Sequence, residues 1–351
     1  MNERQIGAKV SLAVKYRPKC WEDVTEQSVV KDILENQVQT KTMQSAYLFT
    51  GPSGTGKTTS ARIFANMINA GKGNPIEVDA ASNSGVDNIR QIIEDAKRKP
   101  LDAEYKIFIV DECHSLSNGA WQALLKTLEE PPKFTIFIFC TTNPEKIPAT
   151  ILSRVQRYNF QKISNEGVYE RLHTILEKES DEIDNLSCQL SWEQDALEYI
   201  AKVSSGGMRD AITLMDKCLS LSPDLTLENV LKTIGGEDYT TFITFLSALE
   251  GKVKVSAVRI IENVYNAGKD VKQFMKDFAK FILEVEKYSL YKNFDYISLP
   301  NTLENELEQL IDDSLFDVMD FVVSLNSQIK WENDSKTLIE LSILIYCGRE
   351  D

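Results

Sequence analysis

GPSGTGKT, residues 51–58, lies between the apolar run Ala46–Phe49 and the segment KTTSARIFANMI, residues 57–68. The run predicts a buried strand, Tyr47 to Thr50. The segment carries Ile63, Phe64, Met67 and Ile68 at helical spacing, which predicts a helix opening at the loop. Gly51, Gly54 and Gly56 free the backbone to turn several N–H groups inward, and such a concavity at a helix N-terminus binds anions. Gly51 to Thr58 fits G-x-x-x-x-G-K-[ST] in full, with Pro52, Ser53, Gly54 and Thr55 filling the variable positions. In that pattern Lys57 reaches the β- and γ-phosphates of a nucleotide and the Thr58 hydroxyl ligates Mg²⁺. An ordinary glycine-rich turn is the competing reading. A strand before and a helix after favour the phosphate loop.

Working outward, strands and helices alternate. IEVDAAS reads as a short strand, and Val86, Ile89, Ile92, Ile93 and Ala96 give VDNIRQIIEDAKRK one apolar face. YKIFIVDE is a buried strand ending in two acids. GAWQALLKTLEE is a helix stopped by Pro131 and Pro132, and FTIFIFCTTN is another buried strand. Apolar runs between helical segments predict an α/β domain, a parallel sheet covered on both faces. From about Ser164 nearly everything reads as helix, so an all-α part follows. Ser191 and Gln194 predict a capping box for WEQDALEYIAKV, Gly206 and Gly207 close that helix, and Pro223 breaks the next.

The polar residues at strand ends carry the chemistry. Asp111 and Glu112 fall at the carboxyl edge of the sheet, where nucleotides bind in open α/β folds. Asp111 is placed to hold Mg²⁺, directly or through water, and Glu112 to orient or deprotonate an attacking water. His114 follows, and a lone histidine gives no reason to assign a catalytic role. After the next strand, either Thr142 or Asn143 can hydrogen-bond a γ-phosphate or the water. Arg154 in ILSRVQR and Arg209 in GGMRDA read locally as surface cations or as anion ligands. A cation near a helix N-terminus is unfavourable by some tenths of a kcal/mol, so Arg209 has a reason to be kept for an anion, although Asp210 offsets that cost.

Composition bounds the rest. The 351 residues exceed one ordinary core, so about two or three domains are expected. An apolar share of 42% suits a globular protein. No apolar stretch is long enough to span a bilayer and the N-terminus lacks a signal-peptide pattern, which predicts a cytoplasmic protein without a membrane partner. The net charge of −14 argues against a general nucleic-acid coat but not against a local basic surface. Cysteines at 20, 113, 140, 188, 218 and 347 are scattered with no C-x-x-C, so neither zinc nor a disulfide framework is expected.

The order of KYRPKCWEDVTEQ, GPSGTGKTT, EVDAASN, IVDECHSLS, ALLKTLEEPP, CTTNPEKIPATILSR and GGMRDA resembles the clamp-loader family of AAA+ ATPases, and within it the bacterial DNA polymerase III gamma/tau subunits. The resemblance covers roughly the first two-thirds of the chain; the last third matches by length and helical character. It implies three parts: a RecA-like AAA+ P-loop domain at residues 1–163, a helical lid at 164–223 and a helical collar for oligomerisation at 224–351. It implies that ATP and Mg²⁺ are bound, with Lys57, Thr58 and the adjoining Thr59 in Walker A and Asp111 and Glu112 in Walker B. Thr142 takes the sensor 1 position, and Arg154 the arginine finger that acts in trans on a neighbour's ATP. Arg209 takes sensor 2, in cis. Val14, Tyr16, Arg17 and Pro18 would line the adenine pocket.

Other clamp-loader subunits, in a homo- or hetero-oligomeric pentamer, a sliding clamp and primer–template DNA are the implied partners. In SNSGVDNIRQ, Ser84 and Arg90 are the candidate phosphate contacts, against the plain alternative of a surface helix cap. Two departures stand out. MINAGKGNPIEVDAAS replaces the family's four-cysteine zinc module, so no zinc is expected, and SRC is SRV. The chain stops after a collar-sized region, so a compact version without the long tail of tau, of a phage or mobile-element kind, is the expectation. The implied function is ATP-driven loading of a sliding clamp. A remodeller of branched DNA or a helicase loader is one alternative. A non-catalytic stator subunit is another, disfavoured because Lys57, Glu112 and Arg209 are all present.

Overall fold

Continuous apolar runs become central strands because a sheet covered on both faces buries every side chain. The structure, a computed structural model, describes residues 10–183, 190–234, 239–294, 297–300, 303–310, 315–330, 332 and 334–348. The first of them form α1 (Leu12–Lys15), α2 (Ser28–Thr40), β1 (Ala46–Thr50), α3 (Lys57–Ile68), β2 (Ile76–Asp79) and α4 (Val86–Ala96). Next come β3 (Lys106–Asp111), α5 (Asn118–Glu129), β4 (Thr135–Thr141), α6 (Ala149–Leu152) and β5 (Gln156–Asn159). The strands make one parallel sheet in the order β2-β3-β4-β1-β5.

Strand periodicity divides the sheet residues between two cores. Tyr47, Phe49, Ile107, Ile109, Ile136 and Ile138 join Leu34 of α2 and Phe64 of α3 on one face. Ala46, Leu48, Phe108, Val110, Phe137 and Phe139 join Ile89 of α4 and Trp121 and Leu124 of α5 on the other. Tyr47 meets Phe64 edge-on at 5.0 Å between ring centroids. Each fully buried side chain of this size stabilises the fold by about 1.5–3 kcal/mol, so the carboxyl edge of the sheet is a rigid platform for whatever follows β1, β3 and β4.

The chain continues through α7 (Asn165–Ile183), β6 (Ser191–Trp192), α8 (Gln194–Val203), α9 (Met208–Leu221) and β7 (Asp224–Leu225). Then follow α10 (Leu227–Ile234), α11 (Tyr239–Glu250), α12 (Lys254–Asn266), α13 (Val271–Tyr291), α14 (Glu304–Gln309), α15 (Leu315–Ile329) and α16 (Ser335–Tyr346). The described residues fall into two compact units. One runs up to Leu190 and includes Ile200–Pro223; the other joins Ser191–Tyr199 to the chain from Asp224 onward. The second unit has its own core. Phe242 and Phe245 of α11 interleave with Phe274, Phe278 and Phe281 of α13, the Phe245–Phe278 rings 4.7 Å apart.

Three local expectations change. β5 was not anticipated, because only Tyr158 of its four residues is buried and it carries no apolar run. Ser191 does not cap α8. It pairs with Asp224 in the small β6–β7 sheet, and its Oγ donates to Asp224 Oδ1 at 2.5 Å, so a tertiary partner outcompetes the local cap. Glu112 is not a strand residue. It sits just past β3 in the left-handed region, φ 46°, where the chain turns into the 3-10 segment Cys113–Ser115.

Candidate active site

The phosphate loop is held in shape by glycines that nothing else can replace. Gly51 has φ 145°, and a Cβ there would meet the Phe160 carbonyl oxygen at 2.2 Å. Gly54 has φ 74°, and its Cβ would lie 2.9 Å from Gly207 Cα. That second approach joins the loop to α9, whose first amide, Met208 N–H, donates to the Gly54 carbonyl at 3.1 Å. Arg209 follows on an exposed position of the first helical turn. Within this unit the loop and the start of α9 are therefore in direct contact.

Lys57 is only 7% exposed. Its ammonium donates to the carbonyls of Gly51 at 2.8 Å and Pro52 at 2.6 Å, inside the concavity. Burial pushes its pKa down, and the carboxylates of Glu112 and Asp111 pull it back up. Thr55 braces the loop by donating to Pro52 O at 2.9 Å. Burial pushes the Cys113 and Cys140 thiols up, so both remain protonated.

Beyond the loop, Thr58 Oγ1 donates to Asp111 Oδ2 at 2.9 Å, joining α3 to the end of β3. The other oxygen, Asp111 Oδ1, accepts from Glu112 N–H at 3.0 Å. One hydroxyl and one carboxylate side by side suit Mg²⁺, which takes few protein ligands and completes its shell with water and phosphate oxygens. Among the described residues no three His, Cys, Asp or Glu side chains gather as a metal site. Cys20, Cys113, Cys140, Cys218 and Cys347 are free thiols, and Cys188 lies outside the described residues.

Thr142 Oγ1 donates to Glu112 Oε2 at 3.3 Å, which brings the end of β4 to the carboxylate after β3. Between the two residues open at this position, Thr142 is the one that touches Glu112. Two neighbours were not anticipated: His114, whose Nδ1 lies 3.2 Å from the same Oε2, and Thr141, whose Oγ1 lies 3.1 Å from that Nδ1. The signal in the sequence was adjacency alone, since both residues flank the residues singled out.

The KYRP residues separate. Tyr16 OH donates to Glu179 Oε1 on α7 at 2.6 Å, and its carbonyl accepts from Arg171 at 3.2 Å. Leu12 N–H donates to Asp216 Oδ2 on α9 at 2.9 Å, so α1 is tied to both helices. Val14 is 64% exposed and Pro18 half-buried. Arg17 instead faces the phosphate loop's helix, where its Nε donates to Thr59 Oγ1 at 3.2 Å. Its pKa is lowered by burial first, then by the nearby cations Arg62 and Arg209, while Glu77 and Asp111 raise it.

Arg154 and Arg90 stand apart from the loop. Arg154, just past α6, donates through Nε and Nη2 to Glu129 Oε1 at 3.1 and 2.5 Å and through Nη1 to the Thr150 carbonyl at 2.6 Å. Glu129, at the end of α5, was not singled out by the sequence reading. Arg90 is exposed on α4 and pairs with Asp87 one turn earlier at 3.0 Å, while Ser84 O accepts from Ser117 N–H at 3.2 Å. Among the described residues no helix is long and apolar enough to cross a membrane.

Comparison with known proteins bears on the whole chain. A family model described as "DNA polymerase III, delta subunit" matches residues 74–164. The DNA polymerase III subunit tau of Bacillus subtilis is 35% identical over 358 residues, covering 95% of this chain and 62% of that subunit. The gamma/tau subunit of Mycoplasma genitalium is 33% identical over 307 residues, covering 81% of this chain and 50% of its own length. The chain thus spans between half and 62% of these two relatives. Among solved structures, the RuvB Holliday junction branch migration motor of Thermotoga maritima aligns with a TM-score of 0.50 at 21% identity, covering 67% of this chain and 79% of that one. That likeness is one of fold.

Proposed function

Since the chain belongs to the AAA+ clamp-loader family, by homology to DNA polymerase III gamma/tau subunits over most of its length, we propose that it is an ATPase subunit of a clamp loader, using ATP binding and hydrolysis to open a ring-shaped clamp and place it on primer–template DNA. The observation that carries the ATPase reading is the line of contacts from α3 to β4. Thr58 touches Asp111, the Asp111 carboxylate fixes the Glu112 amide, and Thr142 touches the Glu112 side chain. A nucleotide seated on the phosphate loop would have its terminal phosphate at this line.

Each residue then has a part. The loop amides and the Lys57 ammonium take the β- and γ-phosphates. Thr58 and Asp111 would hold Mg²⁺, which would supply positive charge to the phosphate oxygens. Glu112 accepts a proton from the water attacking the γ-phosphorus, and Thr142 orients it. Arg209 reaches the phosphates from the same subunit. Arg154 reaches the ATP of the next subunit, so hydrolysis depends on assembly. Val14, Tyr16 and Pro18 remain the candidates for the adenine end, whereas the Arg17–Thr59 contact favours a place for Arg17 nearer the phosphates.

Three domains go with this reading: the P-loop domain at 1–163, the lid at 164–223 and the collar at 224–351. DNA would meet the segment carrying Ser84 and Arg90, whose exposed guanidinium pairs with the exposed carboxylate of Asp87.

Glu112→Gln tests the hydrolytic step. Glutamine keeps the size and the hydrogen-bonding reach but cannot take a proton. ATP should bind with wild-type affinity while turnover falls by on the order of 10²–10⁴, the usual range for loss of a general base. Equilibrium binding and steady-state phosphate release measure the two quantities separately. Wild-type turnover in this variant removes Glu112 from the mechanism.

A further inference from the structure

Glu129 is the last residue of α5, just before Pro131 and Pro132 stop the helix. A carboxylate in the last turn faces the negative end of the helix dipole, which disfavours it there. Its partner is Arg154, 25 residues on. Arg154 Nε donates to Glu129 Oε1 at 3.1 Å, and Nη2 donates to the same oxygen at 2.5 Å. From the other edge, Nη1 donates to the Thr150 carbonyl at 2.6 Å and to Ser153 Oγ at 3.0 Å. Ser153 Oγ itself donates to the Thr150 carbonyl at 3.0 Å, so its hydroxyl is turned to accept from the arginine. A guanidinium carries five N–H donors. These contacts take four and leave the second N–H of Nη2 without a partner among the described residues. The Arg154 side chain is 32% exposed and that of Glu129 50%. An ion pair so exposed adds little to stability, so its consequence is where it puts the guanidinium.

We propose that Glu129 is a positioning residue for Arg154. With Thr150 and Ser153 it grips the guanidinium on two edges, and the remaining Nη2 N–H is kept for a phosphate oxygen of the neighbouring subunit's ATP. An unheld arginine samples many rotamers, and ordering it as subunits dock draws on the free energy that would otherwise lower the barrier. Held by Glu129, it reaches the neighbour already ordered. This role presupposes that Arg154 is the finger proposed above.

Three substitutions test it in the assembled oligomer with primed DNA. Glu129→Ala removes the acceptor. Glu129→Asp keeps the charge but withdraws the carboxylate by one methylene. Glu129→Gln keeps the reach and an acceptor oxygen but loses the charge. Glu129→Ala and Glu129→Asp should lower kcat by roughly 10–100-fold, the scale of a misplacement near 1 Å, while the KM for ATP, equilibrium ATP binding and assembly stay unchanged. Glu129→Gln should retain most of the turnover. If Glu129→Ala assembles poorly, the Asp and Gln variants decide the question. Equal loss in those two, or loss in neither, overturns the inference, as does a loss that falls on KM. Faster turnover in Glu129→Ala also overturns it, because the pair would then restrain the finger. Arg154→Ala measured alongside separates the two levels. If it is nearly inactive while all three Glu129 variants turn over normally, only the positioning role fails. If it turns over normally, the finger reading fails and this role with it.

Discussion

Lys57→Ala abolishes nucleotide binding at working ATP concentrations. The Lys57 ammonium is buried and already held inside the concavity by the Gly51 and Pro52 carbonyls, so it needs no rearrangement to face a phosphate. Burial lowers its pKa, which means the charge is costly to keep there and gains when an anion arrives. Losing two charge-assisted contacts, at about 1.5–3 kcal/mol each, amounts to roughly 10²–10⁴ in affinity. The fold should survive, because alanine removes a buried cation rather than an apolar anchor. Titration with a fluorescent ATP analogue, with a melting curve as control, measures both. A well-folded variant with wild-type affinity contradicts the loop's assignment.

Arg154→Ala should leave ATP binding intact and stop hydrolysis at the neighbouring site. Arg154 is held by Glu129 and the Thr150 carbonyl at the end of α6, away from its own loop's hydrogen bonds. A guanidinium presented on a short helix end suits delivery to another subunit. Arginine fingers contribute on the order of 10³–10⁵ in phosphoryl transfer, so the assembled variant should be nearly inactive. Mixing Arg154→Ala with Lys57→Ala subunits then gives a distinctive result. Where an intact loop from one meets an intact finger from the other, activity returns above either variant alone. Verified mixed assemblies with no gain would remove Arg154 from the trans role.

Contiguous chemistry was legible in the sequence. The loop from Gly51 to Thr58 shows both the residues and the order of strand and helix around them, and β1, β3 and β4 declare themselves as unbroken apolar runs. Asp111 and Glu112 follow from where β3 stops. What depends on distant pairing was not legible. β5 has one buried residue in four and exists because β1 offers it a free edge. Ser191 carries a capping pattern, but its hydroxyl is taken by Asp224, 33 residues away. The contacts of Thr142 with Glu112 and of Thr141 with His114 need the register of β3 against β4, which places Val110 opposite Phe139 and so brings the ends of the two strands together. Glu129 meets Arg154 across 25 residues for the same kind of reason. The helices of the second unit are readable one at a time, whereas the pairing of α11 with α13 comes from the fit of their phenylalanines.

The central claim is that ATP turnover in this protein serves the loading of a sliding clamp. The direct measurement is steady-state ATP hydrolysis by the assembled oligomer on primer–template DNA, with and without a ring-shaped clamp, and on a four-way DNA junction. The account predicts that primed DNA and clamp together raise turnover well above either alone, and that the junction does not. Turnover stimulated by the junction and indifferent to the clamp would contradict it.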